Sequence, residues 1–174
     1  IPRGFAEDKS VQGRVVSYFS SFDPSIIGFD VEVMKGEKEY LRIDALHRMI
    51  GGGTASIPLE EESAGTLKML ALYPALQDTL ENGGILFVDE LNARLHPLLV
   101  RSFLLTFLNP KINVRHGQIV FTTHDAWQLS NDLLRRDEIW FTEKDKNGVT
   151  SLYSLADFVD ADGVKIRKDE SYEK

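Results

Sequence analysis

The stretch Ile85-Leu86-Phe87-Val88-Asp89-Glu90 decides how the rest of the chain is read. Four apolar residues run without interruption into two carboxylates. Asn82-Gly83-Gly84 precedes them as a helix stop, and Leu91-Asn92-Ala93-Arg94-Leu95-His96-Pro97 follows. A short apolar run between turn signals predicts a strand buried on both faces, the pattern of a parallel sheet. Open α/β sheets place their ligands at the carboxyl edge of such strands. Two adjacent acids at that edge are costly unless a cation or a reacting proton uses them. The bland alternative is a surface turn that is acidic by chance after a core strand.

The chain has 174 residues, enough for one domain with a sizeable core. Its apolar share of 43% and charged share of 27% are those of an ordinary soluble globular protein. No cysteine is present, which excludes disulfides and thiolate metal sites and suits a reducing, cytoplasmic setting. The net charge of -7 argues against broad, non-specific nucleic-acid binding by this segment. Leu98 to Leu108, the most apolar segment, is interrupted by Arg101 and is too short to cross a bilayer, so no membrane partner is expected. The chain opens Ile1-Pro2-Arg3, without methionine or signal peptide, and is expected to be part of a longer protein.

On the N-terminal side of the strand, Leu67, Met69, Leu70, Leu72, Leu76 and Leu80 recur at mainly helical spacing. Ser63 is placed to cap that helix, with Glu60, Glu61 and Glu62 near its positive end. Gly65 in the first turn weakens a helix, and a backbone that must approach a ligand closely would explain it. Exposed amides at a helix N-terminus bind phosphate. Gly51-Gly52-Gly53-Thr54 lacks the Gly-Lys-Ser/Thr of a phosphate loop and reads as a flexible linker, so the chain contains no P-loop. Ile26 to Met34 and Tyr40 to Leu46 flank the Lys35-Gly36-Glu37-Lys38 turn as a hairpin. His47, beside an arginine, reads as a surface residue. Val11, Val15, Val16 and Phe19 mark an amphipathic helix over roughly residues 8 to 21.

On the C-terminal side, Pro97 opens an apolar helix that ends at Asn109-Pro110. Gly117 to Asp125 repeats the central pattern, an apolar strand ending in the polar run Thr122-Thr123-His124-Asp125. If the two strands run parallel, His124 shares the sheet edge of Asp89 and Glu90. Asp125 to Leu129 starts a short helix, and Glu138 to Ser154 forms a hairpin around Asn147-Gly148. Lys165 to Lys174 reads as an exposed end.

In this order the motifs resemble the C-terminal half of an ABC-type ATPase domain. They are most similar to the prokaryotic AAA-labelled branch, which is related to SMC and RecF-type ATPases and often occurs in abortive-infection or anti-phage systems. Glu62-Ser63-Ala64-Gly65-Thr66 resembles the ABC signature, and Ile85 to Glu90 resembles Walker B with its catalytic glutamate. Leu91 to Pro97 resembles the D-loop, Thr123-His124-Asp125 the switch histidine, and Tyr153 to Phe158 the region after it. The departures are the missing Walker A and Q-loop, Glu62 and Ala64 within the signature, and Arg94 in the D-loop.

The resemblance implies an α/β fold, the C-terminal portion of a P-loop NTPase core. A mostly parallel sheet would be flanked by helices, with an N-terminal antiparallel hairpin and a C-terminal β-hairpin. It divides the chain into a variable region at 1–55, an ATPase lobe at 56–160 and a charged tail at 161–174. ATP and Mg²⁺ are the implied ligands. Asp89 would hold the metal, Glu90 would deprotonate the attacking water, and His124 would contact the γ-phosphate. Ser63, Gly65, Thr66 and Asn92 would contact nucleotide across a head-to-tail dimer. An effector nuclease, toxin or DNA is the implied further partner. Without a P-loop the chain alone is expected to be inactive. Two rivals are weighed: a nucleotide-gated interaction module with incidental hydrolysis, and a metal-dependent hydrolase using Asp89, Glu90, His96 and His124. The second lacks any His-x-x-x-His pair, and a serine hydrolase lacks Gly-x-Ser-x-Gly.

Overall fold

The computed structural model describes residues 1–35, 39–126 and 133–159. Expectations for residues 36–38 of the first turn, for the short helix from 127 onward and for the tail at 161–174 lie outside them. The chain divides into two compact units, Ile1–Thr123 and His124–Lys174.

In the first unit, helix α1 (Lys9–Phe19) starts where Asp8 accepts a hydrogen bond from the Ser10 amide at 2.7 Å. Its apolar stripe of Val11, Val15 and Phe19 is buried, and Phe19 and Phe5 both stack edge-on against Phe29. Phe29 belongs to β1 (Ile26–Met34), which pairs antiparallel with β2 (Tyr40–Arg48) as the alternation predicts.

The glycine run is not a linker. It turns β2 back into β3 (Thr54–Pro58), which pairs with β2 from Arg48↔Thr54 to Asp44↔Pro58. Gly51, Gly52 and Gly53 all have φ between 93° and 96°, a region closed to side chains with a Cβ. The expected hairpin is therefore a three-stranded antiparallel sheet.

A single 3₁₀ turn, Leu59–Glu61, leads to α2 (Ala64–Asn82), whose Met69, Leu70, Tyr73 and Leu76 are buried. Strand β4 (Ile85–Val88) follows and pairs in parallel with β5 (Gln118–Phe121), in register from Ile85↔Gln118 to Val88↔Phe121. Between them, α3 (Pro97–Leu108) buries Val100, Phe103, Leu104 and Phe107. Asn113 closes the return to β5: its amide donates to the Phe107 and Gly117 carbonyls at 2.9 and 2.7 Å.

The reading of β4 as buried on both faces is corrected. Leu86 and Val88 are each 8% exposed, but Ile85 is 52% and Phe87 72% exposed. The pleat sends alternate side chains to opposite faces. Helix α2 packs against β4, whereas no described residue buries Ile85 or Phe87 on the other face.

In the second unit, β6 (Trp140–Lys144) and β7 (Thr150–Ser154) form the expected C-terminal hairpin. Asp145 closes its turn by accepting from the amides of Asn147 and Val149, each at 2.8 Å, while Gly148 takes φ 84°. Phe141, Tyr153 and Phe158 cluster on the hairpin, and Arg136 donates to the Leu155 and Phe158 carbonyls.

Candidate nucleotide and metal site

Parallel pairing brings the ends of β4 and β5 to one edge, and Thr122 stitches them together. Its amide donates to the Val88 carbonyl at 3.1 Å, and its carbonyl accepts from the Leu91 amide at 3.0 Å. Its hydroxyl donates to Asp89 Oδ1 at 2.5 Å and accepts from the Glu90 amide at 2.8 Å. A hydroxyl has one proton and two lone pairs, so both roles are filled at once. Sequence reasoning missed Thr122 and went to His124. The usable signal was a threonine directly after an apolar strand that pairs with the acidic one.

Asp89 and Glu90 are both exposed, and Asp89 has one oxygen bound by Thr122. An exposed carboxylate braced through one oxygen fits Mg²⁺, a hard cation that keeps several waters and needs few protein ligands. Glu90 sits at φ 46°, a left-handed backbone that costs a non-glycine residue on the order of 1 kcal/mol. The chain turns there: the Ala93 amide donates to the Glu90 carbonyl at 2.9 Å, and the Leu95 amide to the Asn92 carbonyl at 3.0 Å. Buried Leu91 and Leu95 anchor the turn, and half-buried Asn92 sits between them.

The N-terminus of α2 abuts this turn. Ser63 caps the helix, its Oγ accepting from the Thr66 amide at 3.0 Å and lying 2.8 Å from Thr66 Oγ1. A Cβ on Gly65 would lie 3.3 Å from the Arg94 carbonyl oxygen. A side chain at Gly65 would therefore be crowded by the chain's own turn. One turn further along, Lys68 Nζ donates to the Glu90 carbonyl at 2.7 Å and to the Ala93 carbonyl at 3.0 Å. Burial lowers the Lys68 pKa from its ordinary value, the Glu90 charge opposes that shift, and Arg94 adds to it. Lys68 was also missed, because nothing local marks a lysine whose partners lie more than twenty positions away.

His47 is not a surface residue. Its Nε2 lies 2.5 Å from Glu62 Oε1, its Nδ1 lies 2.9 Å from Ser25 Oγ, and Ser25 Oγ donates to Asp23 at 2.5 Å. The Glu62 side chain is only 6% exposed. The glutamate that departs from the familiar signature thus ties the residue before Ser63 to the antiparallel sheet.

His96 caps α3, its Nδ1 accepting from the Leu98 amide at 3.2 Å. Among the described residues no three His, Cys, Asp or Glu side chains gather as a metal-binding group. His124 opens the second unit, two residues along the chain from Thr122. The described residues contain no helix long and apolar enough to cross a membrane.

These features sit in an AAA-type domain, a class that carries P-loop ATPase function. The chain belongs to the family described as "AAA domain, putative AbiEii toxin, Type IV TA system", which matches residues 6–126. That span includes Ser63, Gly65, Thr66, Asp89, Glu90, Asn92 and His124. No curated protein matches the chain.

Proposed function

We propose that this chain is the signature and Walker B part of an ABC-type, cytoplasmic ATPase that dimerises head to tail around ATP and Mg²⁺. In this reading β4 and β5 belong to a larger, mostly parallel sheet, and residues 56–160 form the ATPase lobe. The observation that carries the proposal is the braced Asp89–Glu90 turn abutting the capped end of α2. It places an acidic edge beside a helix N-terminus of the kind that can bind an anion.

Phosphoryl transfer to water rests on positioning and charge stabilisation. The Glu90 carboxylate takes a proton from a water as that water's oxygen bonds to the γ-phosphorus. The bond from γ-phosphorus to the bridging oxygen breaks, and ADP leaves with the electron pair. Asp89 would hold Mg²⁺ through a bound water, and the ion supplies neutralisation of phosphate charge. By the resemblance of its motif alone, His124 would contact the γ-phosphate. Ser63 and the Gly65 amide close on the γ-phosphate bound by the other protomer, with Thr66 beside them and Asn92 at the dimer interface. The family's toxin–antitoxin description supports a toxin as the coupled effector; a nuclease or DNA is the other partner this reading allows.

The test is Glu90→Gln in the full-length protein. Hydrolysis should stop while ATP stays bound and the dimer persists in size-exclusion chromatography. Unchanged turnover would overturn the role of Glu90. The chain by itself should show no turnover, and measurable hydrolysis abolished by Glu90→Gln would refute that part.

A further inference from the structure

We propose that Lys68 is a positioning residue, a latch within one chain that couples the phosphate-facing end of α2 to the turn carrying Glu90. The inference rests on the ATPase reading above. In a head-to-tail dimer, Ser63 and Gly65 serve one nucleotide while Glu90 of the same chain serves the other. A side chain joining the two is therefore a path between the two composite sites.

Three observations support the latch. The Lys68 ammonium binds two carbonyls on either side of the same turn, Glu90 at 2.7 Å and Ala93 at 3.0 Å. That turn contains two non-glycine residues in left-handed conformation, Glu90 at φ 46° and Arg94 at φ 63°. Such conformations persist only where surrounding contacts hold them. The same helix presses on the turn a second time, at Gly65 against the Arg94 carbonyl. A shift of α2 toward a phosphate must therefore move the Glu90 backbone, or break both contacts.

The choice of acceptor also matters. Lys68 bonds backbone carbonyls, and no hydrogen bond from it reaches the Glu90 carboxylate. The base is positioned by its own backbone and keeps its carboxylate for water. An ammonium has three donors and can satisfy both carbonyls, whereas a thioether donates none and a glutamine amide, though it has two donors, ends one atom short of the lysine nitrogen.

The experiment compares Lys68→Met, Lys68→Gln and Lys68→Arg with wild type and with Glu90→Gln in the full-length protein. Lys68→Met should lower kcat about 10- to 100-fold. Nucleotide affinity should stay within about twofold, and ATP cooperativity should fall towards a Hill coefficient of about 1. Lys68→Arg should restore most of both. In this chain, hydrogen exchange at the Ala93 and Leu95 amides should rise in Lys68→Met while α1 and the antiparallel sheet stay protected.

Wild-type kcat and cooperativity in Lys68→Met would overturn the latch, as would unchanged exchange at Ala93 and Leu95. If Lys68→Met unfolds, the same readouts on Lys68→Gln decide. Full turnover in Glu90→Gln would instead show that the ATPase reading itself has failed. Loss of turnover there, with an inert Lys68→Met, would sink only the latch.

Discussion

Two regions of the first unit carry acids and use them in opposite ways. Around the antiparallel sheet the acids are bound by neighbours. Asp44 accepts from Arg42 with both oxygens at 3.2 Å and from Ser56 at 2.8 Å, and Glu62 meets His47. At the parallel edge, Asp89 receives one hydroxyl, and the Glu90 carboxylate receives no hydrogen bond from a described residue. What is fixed there is the backbone of Glu90, through Thr122 and Lys68. Acids with filled partners hold a fold together. Acids on a rigid backbone with open oxygens are available for chemistry.

The strongest way to break this contrast is Glu90→Gln. On the proposed ATPase reading, turnover of the full-length protein should fall about 100- to 10,000-fold, with little change in melting temperature. Phosphate-release kinetics and a thermal scan of the same sample would check both halves. A large loss of stability would mean that Glu90 is structural like Glu62.

Thr122→Val sharpens the comparison, since it keeps the shape and removes the hydroxyl. Mg²⁺-dependent turnover should drop about 10- to 100-fold, and stability by about 1–2 kcal/mol, because the Glu90 amide loses its acceptor. Titrating activity against Mg²⁺ should show a weaker apparent metal affinity.

His47→Leu tests the other region. It leaves the Glu62 carboxylate buried without its partner and should cost about 3 kcal/mol in urea unfolding. The His47→Leu, Glu62→Gln double variant should recover part of that loss, and strict additivity would argue against the pair.

The smallest effect concerns acid. Hydrogen bonds from Arg42 and then Ser56 hold the Asp44 pKa below its ordinary 3.8. A depressed folded-state pKa contributes stability above the unfolded value, and that contribution is lost as pH falls through the folded one. The stability difference between wild type and Asp44→Asn should therefore be full at neutral pH and shrink below about pH 3.8. A difference that grows in acid would contradict this assignment.

Much of the molecule was legible because its signals are local. Ser63 and Pro97 mark helix starts, apolar spacing marks α1, alternation marks β1 and β2, and Asn147-Gly148 marks the last hairpin. The misreadings share one cause. Gly51 to Gly53 looks like a linker until β3 is seen pairing with β2. Ile85 and Phe87 look buried until α2 is found packed against β4 and both side chains are left exposed.

By itself, the sequence determined that an apolar strand ends in Asp89-Glu90 and that a serine-capped helix precedes it. Period, caps and turn residues act within a few positions, so they can be read from the sequence. Only the tertiary structure decided that Thr122 braces both acids, that Lys68 and Gly65 tie the helix to the acidic turn, and that His47 secures Glu62. Those contacts join residues 15 to 33 positions apart for the hydrogen bonds, and such distances are closed only when strands pair and helices pack.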